Sequence, residues 1–213
     1  PGIALWLITK GNKEIFSGAG ISMDLMSGFE ISLSQGWNMI GSPYNFEIDL
    51  SNELQNNQYI DDSYMHIYTD TGNQPNYITT TTLKARQGHW VYSTSSSTIQ
   101  LNPEQSISSG KIAHENNVEG WRSSLSVSIN GFGDTRNVFG VHPESENEWD
   151  SNDLRKPPVI GDYAILGFDN TTWSEHSGLY RTDIRSEQDE LHTWDIYVKT
   201  NQKGICSVHG LDL

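Results

Sequence analysis

Apolar and polar side chains alternate along most of this chain in short runs: IALWLITK, FEISLS, WNMIG, YMHIYTD, YITTTTL, HWVYSTS, STIQLN, WRSSLSVSI, YAILGF and WDIYVKT. A period of two, carried by β-branched and aromatic residues, turns one face of each run inward and the other outward, which marks half-buried strands. Clusters of Gly, Asn, Asp, Ser and Pro between the runs supply turns. Only FEIDLSNELQNNQYI carries the period of a short helix. The pattern predicts an all-β fold made of two β-sandwich modules in tandem.

The same pattern sets the organisation. Residues 1–104 form a first sandwich, and the polar, turn-rich residues 105–118 form a linker. Residues 119–213 form a second, jelly-roll-like sandwich. Within the first module Ala4, Leu5 and Trp6 echo Gly88, His89 and Trp90, so a Trp-containing hairpin recurs. In the second, HPESENEWDSNDLRKPPVIGD reads as a long acidic loop, and loops of that length carry function or move.

Tryptophans divide into two kinds. In QGWNMIGSPY a strand puts Trp37 and Met39 on one face and Asn38 and Ile40 on the other. An indole at a strand start, ahead of a Gly-Ser-Pro corner, reads as interior filler that plugs a sandwich. Trp6, Trp90, Trp121 and Trp194 sit in similar alternation and take the same reading. Trp149 and Trp173 lie in polar stretches and are the candidate ligand-binding residues, able to stack on a glycan.

Charge narrows the partners. The 213 residues carry a formal net charge of -14, and the 13 Lys and Arg form no cluster. Such a chain repels a phosphate backbone and an anionic bilayer surface, so nucleic acid is not expected as a partner. No apolar run reaches the length of a membrane span, so membrane insertion is not expected either. Cys206 is the single cysteine and has no internal partner. With no basic neighbour to stabilise a thiolate, it reads as a small buried residue in the strand GICSVHG.

Candidate chemistry is sparse. Asp134 and Asn137 in GFGDTRN, with Asp150 and Asp153 in EWDSND, offer hard oxygen ligands for a structural calcium ion that would pin the long loop. Their alternative use is in Asx turns that cap nearby backbone groups. HENNV at 114–118 lacks the second histidine of a zinc-binding helix, and no G-x-S-x-G elbow occurs. No helix follows GFGDTRNVFG, so it does not cradle a nucleotide. NTT at 170–172 has the pattern of a glycosylation acceptor. These observations predict no enzyme activity and no cofactor beyond the calcium.

The stretches PGIALWLIT, FEISLSQGWNMIGSPYNFEI and QGHWVYSTSSSTIQL, followed by WRSSLSVSINGFGDTRNVFGVHPESENEWDSNDLRKPPVIGDYAILGF, YRTDIR and TWDIYVKT, resemble the β-rich modules of large secreted bacterial surface proteins. Such modules often accompany type IX secretion sorting domains, and the family has no settled activity. The resemblance implies a secreted or cell-surface, extracellular location and a non-catalytic role as spacer, assembly or adhesion module. It implies neighbouring domains of a longer chain as partners, with a glycan or cell-surface polymer as a further one. Pro1 in place of Met fits a piece of a longer protein. A carbohydrate-binding module is the alternative, and a fragment of a glycoside hydrolase or peptidase comes after it.

Overall fold

The computed structural model describes residues 2–6, 14, 23–25, 27–70, 75–102, 120–189 and 191–212. The chain is mostly β, with several sheets, as the alternating pattern predicts. Contacts divide it into two compact units: Pro1–Tyr68 with Ile78–Lys111, and Thr69–Tyr77 with Ile112–Leu213. The linker expected at 105–118 lies outside the described residues.

The first part of the chain runs β1 (Phe29–Leu33), β2 (Gly36–Gly41), β3 (Ile48–Asp49), α1 (Ser51–Asn56), β4 (Met65–Asp70), β5 (Pro75–Thr80), β6 (Thr82–Leu83), β7 (Gly88–Ser93) and β8 (Ser97–Leu101). β1 pairs with β8, β3 with β6, and β2-β7-β4-β5 make a four-stranded sheet. Period-two alternation delivers Ile31 and Leu33 of β1, Ile99 and Leu101 of β8, and Ile40, Val91 and Met65 of the larger sheet to one core. Six residues are too few for a helix to persist alone, so α1 is held through Leu54, which is fully buried in that core. YITTTTL breaks at Thr81 into β5 and β6. Of IALWLITK, residues 7–10 lie outside the described part, and Ile3 makes a single bridge to Ile40.

The second part runs β9 (Trp121–Ile129), β10 (Phe132–His142), β11 (Leu154–Arg155), β12 (Ala164–Asn170), β13 (Gly178–Ser186), β14 (Ile196–Thr200) and β15 (Ser207–Asp212). The sheet order is β14-β12-β13-β10-β9-β15, with β11 also on β13. β10 and β13 pair in parallel, and the other recorded pairs of this sheet are antiparallel. Val127 and Ile129 of β9 pack with Ala164 and Leu166 of β12, three strands away. A flat sheet would hold those strands about 14 Å apart, so this one curls over its own apolar face. A second cluster of Phe168, Trp173 and Tyr180 fills the curl alongside half-buried Phe139, Trp149 and Trp194.

Two sequence expectations are corrected here. Cys206 is exposed: it just precedes β15, an end strand of the sheet, in which Val208 is itself 49% exposed. The acidic stretch after His142 is a loop only in part, since Leu154 and Arg155 join β13 as β11.

Candidate functional site

The GWN motif has a local geometric cause. Gly36 takes φ +96, a conformation that L side chains rarely adopt, and opens β2. Asn38 then closes the turn: its Oδ1 accepts from the Ser34 N–H at 2.9 Å, and its Nδ2 donates to the carbonyls of Ser34 at 2.7 Å and Gly36 at 2.9 Å. This turn fixes which face each following residue takes. Ile40 points into the core beside Val91, so Trp37 and Met39 point to the opposite face.

Trp37 is therefore not interior filler. It lies half-buried outside the core, directly across from Tyr92, while Met39 lies across from Trp90 and His66 pairs with Trp90. The rings meet edge to face: Trp37 is 5.3 Å from Tyr92, 5.4 Å from His66 and 6.3 Å from Trp90, centre to centre. Trp6 joins the same face, 5.0 Å from Tyr68 and 40% exposed. The segment carrying Trp6 packs closely over Gly88, where an added Cβ would lie 3.2 Å from that of Ala4. The echo between residues 4–6 and 88–90 thus corresponds to two stretches that both place an indole on this face.

Beneath the rings, His66 Nε2 sits 3.1 Å from Asp62 Oδ2, and both side chains are buried. The indole N–H of Trp90, His66 Nδ1 and Asp62 Oδ1 are buried and find no hydrogen-bond partner among the described residues. On the core side of the same sheet, His89 is fully buried, and its Nε2 accepts the Lys84 N–H at 3.2 Å. Burial pushes its imidazole down to about 4, so the ring is neutral.

The second unit holds the residues singled out from sequence. Asp134 is ion-paired with Lys156, whose ammonium also donates to Asn137 Oδ1. Asp134 Oδ2 accepts the Leu166 N–H at 3.0 Å, and Asn137 Nδ2 donates to the Leu125 carbonyl at 3.1 Å. Burial pulls the Lys156 amine below the ordinary lysine range, and Asp134 pulls it back. Asp150 and Asp153 lie together in the loop and cap backbone groups. Asp150 accepts from Glu146 and Asn152 N–H groups at 2.7 and 2.6 Å, while Asp153 accepts from Asp150 and Ile184 at 2.9 Å each. Burial pushes the Asp153 carboxyl up to about 8 despite those two donors. Among the described residues no three His, Cys, Asp or Glu side chains are grouped so as to hold a metal ion.

The two loop indoles occupy different settings. Trp149 stacks flat on His176, with ring centres 4.0 Å apart and planes within 4°. Trp173 is 7% exposed and lies 4.9 Å from Tyr180 in the core, so a sugar ring reaches it only if that loop opens. Trp121, expected inside, is 49% exposed, and Trp194 is half-buried 5.8 Å from it. Asn170 of the NTT motif is buried, and its Nδ2 donates to Asp183 at 2.8 Å, which leaves no accessible acceptor nitrogen. His114 of HENNV lies outside the described residues. Period-two spacing placed Trp37 and Met39 on one face; what sequence missed was that this face turns away from the core and joins Trp90 and Tyr92, with the buried His66–Asp62 pair under it.

Comparison of the chain with family models, with curated proteins and with solved structures brought no match, so the reading of this site rests on its own geometry.

Proposed function

We propose that this protein is a non-catalytic, β-rich binding region of a secreted or cell-surface multidomain bacterial protein, that it serves adhesion, and that its recognition surface is the aromatic face of the four-stranded sheet. One observation carries the reading: Trp6, Trp37, Trp90, Tyr68 and Tyr92 are partly exposed on the sheet face opposite the core. Partly exposed aromatic area outside the core is what a recognition face offers a ligand. A hydroxyl-rich polymer such as a glycan fits this surface, since its C–H faces stack on aromatic rings. The acidic charge of -14 favours a neutral or cationic polymer over an anionic one.

Binding of the 213-residue chain to a glycan array and to insoluble polysaccharides tests the reading. Trp6→Ala and Trp90→Ala are each expected to weaken binding about tenfold or more, as truncation of a buried aromatic contact does, with the melting midpoint checked for each variant. Loss on Trp149→Ala with Trp90→Ala unaffected would move the site to the loop indoles. Failure to bind any glycan or cell-surface polymer would leave the protein a spacer.

A further inference from the structure

β14 is one of the two end strands of the second sheet, and it is exposed on both of its faces. Its register on β12 sets Ile196 across from Phe168 and Val198 across from Leu166. Phe168 and Leu166 are fully buried, whereas Ile196 is 51% and Val198 38% exposed. The apolar inner face of the sheet therefore runs on past the last strand. Main-chain parity says which groups the edge offers. Asp169 N–H donates to the Asp195 carbonyl at 2.8 Å, and Asn201 N–H to the Tyr163 carbonyl at 3.3 Å. In an antiparallel ladder hydrogen-bonded positions recur at every second residue, so Asp195, Tyr197 and Lys199 aim their backbone groups at β12. Ile196, Val198 and Thr200 aim theirs away from it, where no strand pairs among the described residues. No charged side chain points to the inner face along Ile196–Val198 to guard this edge, as natural edges often arrange.

We propose that β14 pairs antiparallel with β14 of a second copy of this chain, across a two-fold axis at Tyr197. Outward-facing backbone groups must meet outward-facing ones, so even-numbered residues oppose even-numbered ones. A centre at Tyr197 satisfies this rule and sets Ile196 against Val198 of the partner subunit, which continues the apolar layer. It also sets Asp195 against Lys199 of the partner subunit, and symmetry repeats that pair at the other end. Asp195 and Lys199 are both exposed and share the outer face with Tyr197. The neighbouring registers lack this match. A centre at Ile196 puts Asp195 against Tyr197 of the partner subunit, and a centre at Val198 puts it against Asn201 of the partner subunit. A centre at Asp195 opposes like charges. Charge complementarity thus selects both the partner and the register. The charge of -14 on each copy opposes association, so moderate salt favours the dimer.

Sedimentation equilibrium of the whole chain at about 0.15 M salt, where long-range repulsion is screened, is expected to show monomer giving way to dimer as concentration rises. Lys199→Asp is expected to weaken association about tenfold or more by placing like charges across the strands. Asp195→Lys combined with Lys199→Asp restores it. Tyr197→Cys in a Cys206→Ser background is expected to form an intermolecular disulfide on mild oxidation. A non-hydrogen-bonded antiparallel pair brings Cα atoms to about 4.5 Å, within disulfide reach. Ile196→Cys, which faces Val198 of the partner subunit, forms none. A chain that stays monomeric throughout overturns the proposal and leaves the edge to a strand of another protein. A dimer indifferent to Lys199→Asp and lacking the Tyr197→Cys link overturns it equally. Circular dichroism and the melting midpoint of each variant confirm that it is folded.

Discussion

Lys156→Met is expected to destabilise the second unit by about 3–5 kcal/mol, the range for removing one partner of a buried ion pair. The ammonium of Lys156 is the counter-charge of Asp134, whose carboxylate lies inside the curl of the sheet beside Leu166 and Asn137. Without it the carboxylate is buried with two N–H-class donors reduced to the Leu166 amide alone. The expected signature is a fall in melting midpoint of about 10 °C or more, given the usual few degrees per kcal/mol in a unit of this size. Adding Asp134→Asn is expected to recover most of the loss. The amide oxygen still accepts the Leu166 N–H, and no isolated charge remains. Calorimetry of the two variants decides the matter. A shift under about 2 °C for Lys156→Met would show that the pair is solvated in solution and carries little energy.

Acid is expected to act on the two units in opposite directions. His89 titrates near 4 when folded against about 6.5 when unfolded, so between those values the unfolded chain takes up a proton that the folded one refuses. Its contribution is present above pH 6.5 and declines as pH falls towards 4, by about 3 kcal/mol in all. Asp153 has the reverse sign. Its folded value of about 8 exceeds the model-peptide value of 3.8, so the folded form holds the extra proton. That contribution is complete below about pH 4 and is lost as pH rises through 8, and its size is about 6 kcal/mol. Hydrogen exchange, corrected for the intrinsic rate at each pH, resolves the two. Between pH 7 and 5, protection in β7 should drop while protection in β12 and β13 rises. Asp153→Asn should flatten the second response, and His89→Gln, which keeps an acceptor for the Lys84 N–H, should flatten the first. Parallel behaviour of both units would refute the assignment.

Much of the fold was legible where inward positions are apolar. β1, β8 and β9 alternate apolar with polar, and with β2 and β7 they were read within a residue or two. β10 and β13 were not, and the reason is chemical. Their buried positions include Asn137 in β10 and Asp183 in β13, each satisfied by partners distant in sequence or on the same strand. A pattern rule that equates inward with apolar cannot see a charge neutralised inside, such as Asp134 by Lys156. The aromatic face shows a different limit. Spacing established that Trp37 and Met39 share a side, yet both sides of β2 carry apolar residues, and size alone favoured turning the indole inward. The Asn38 turn and the packing of Ile40 decided otherwise. Trp173 errs in the other direction: polar neighbours marked it as a surface residue, but the loop folds back and lays it on Tyr180. The oxygen-rich loop was read for a cation, and the partners found on its carboxylates are backbone N–H groups.

The crossed indoles have an optical consequence. Trp37 and Trp90 stand 6.3 Å apart at 83°, and Trp121 and Trp194 stand 5.8 Å apart at 74°. Strong transition dipoles so close couple, and between rings held in a fixed skewed arrangement the coupling splits their absorption into a pair of circular-dichroism bands of opposite sign. Each unit therefore carries its own chiroptical reporter: Trp37→Phe should erase one couplet and Trp121→Phe the other. Because the splitting vanishes once the rings lose their fixed mutual angle, it offers a label-free view of side-chain order in either unit.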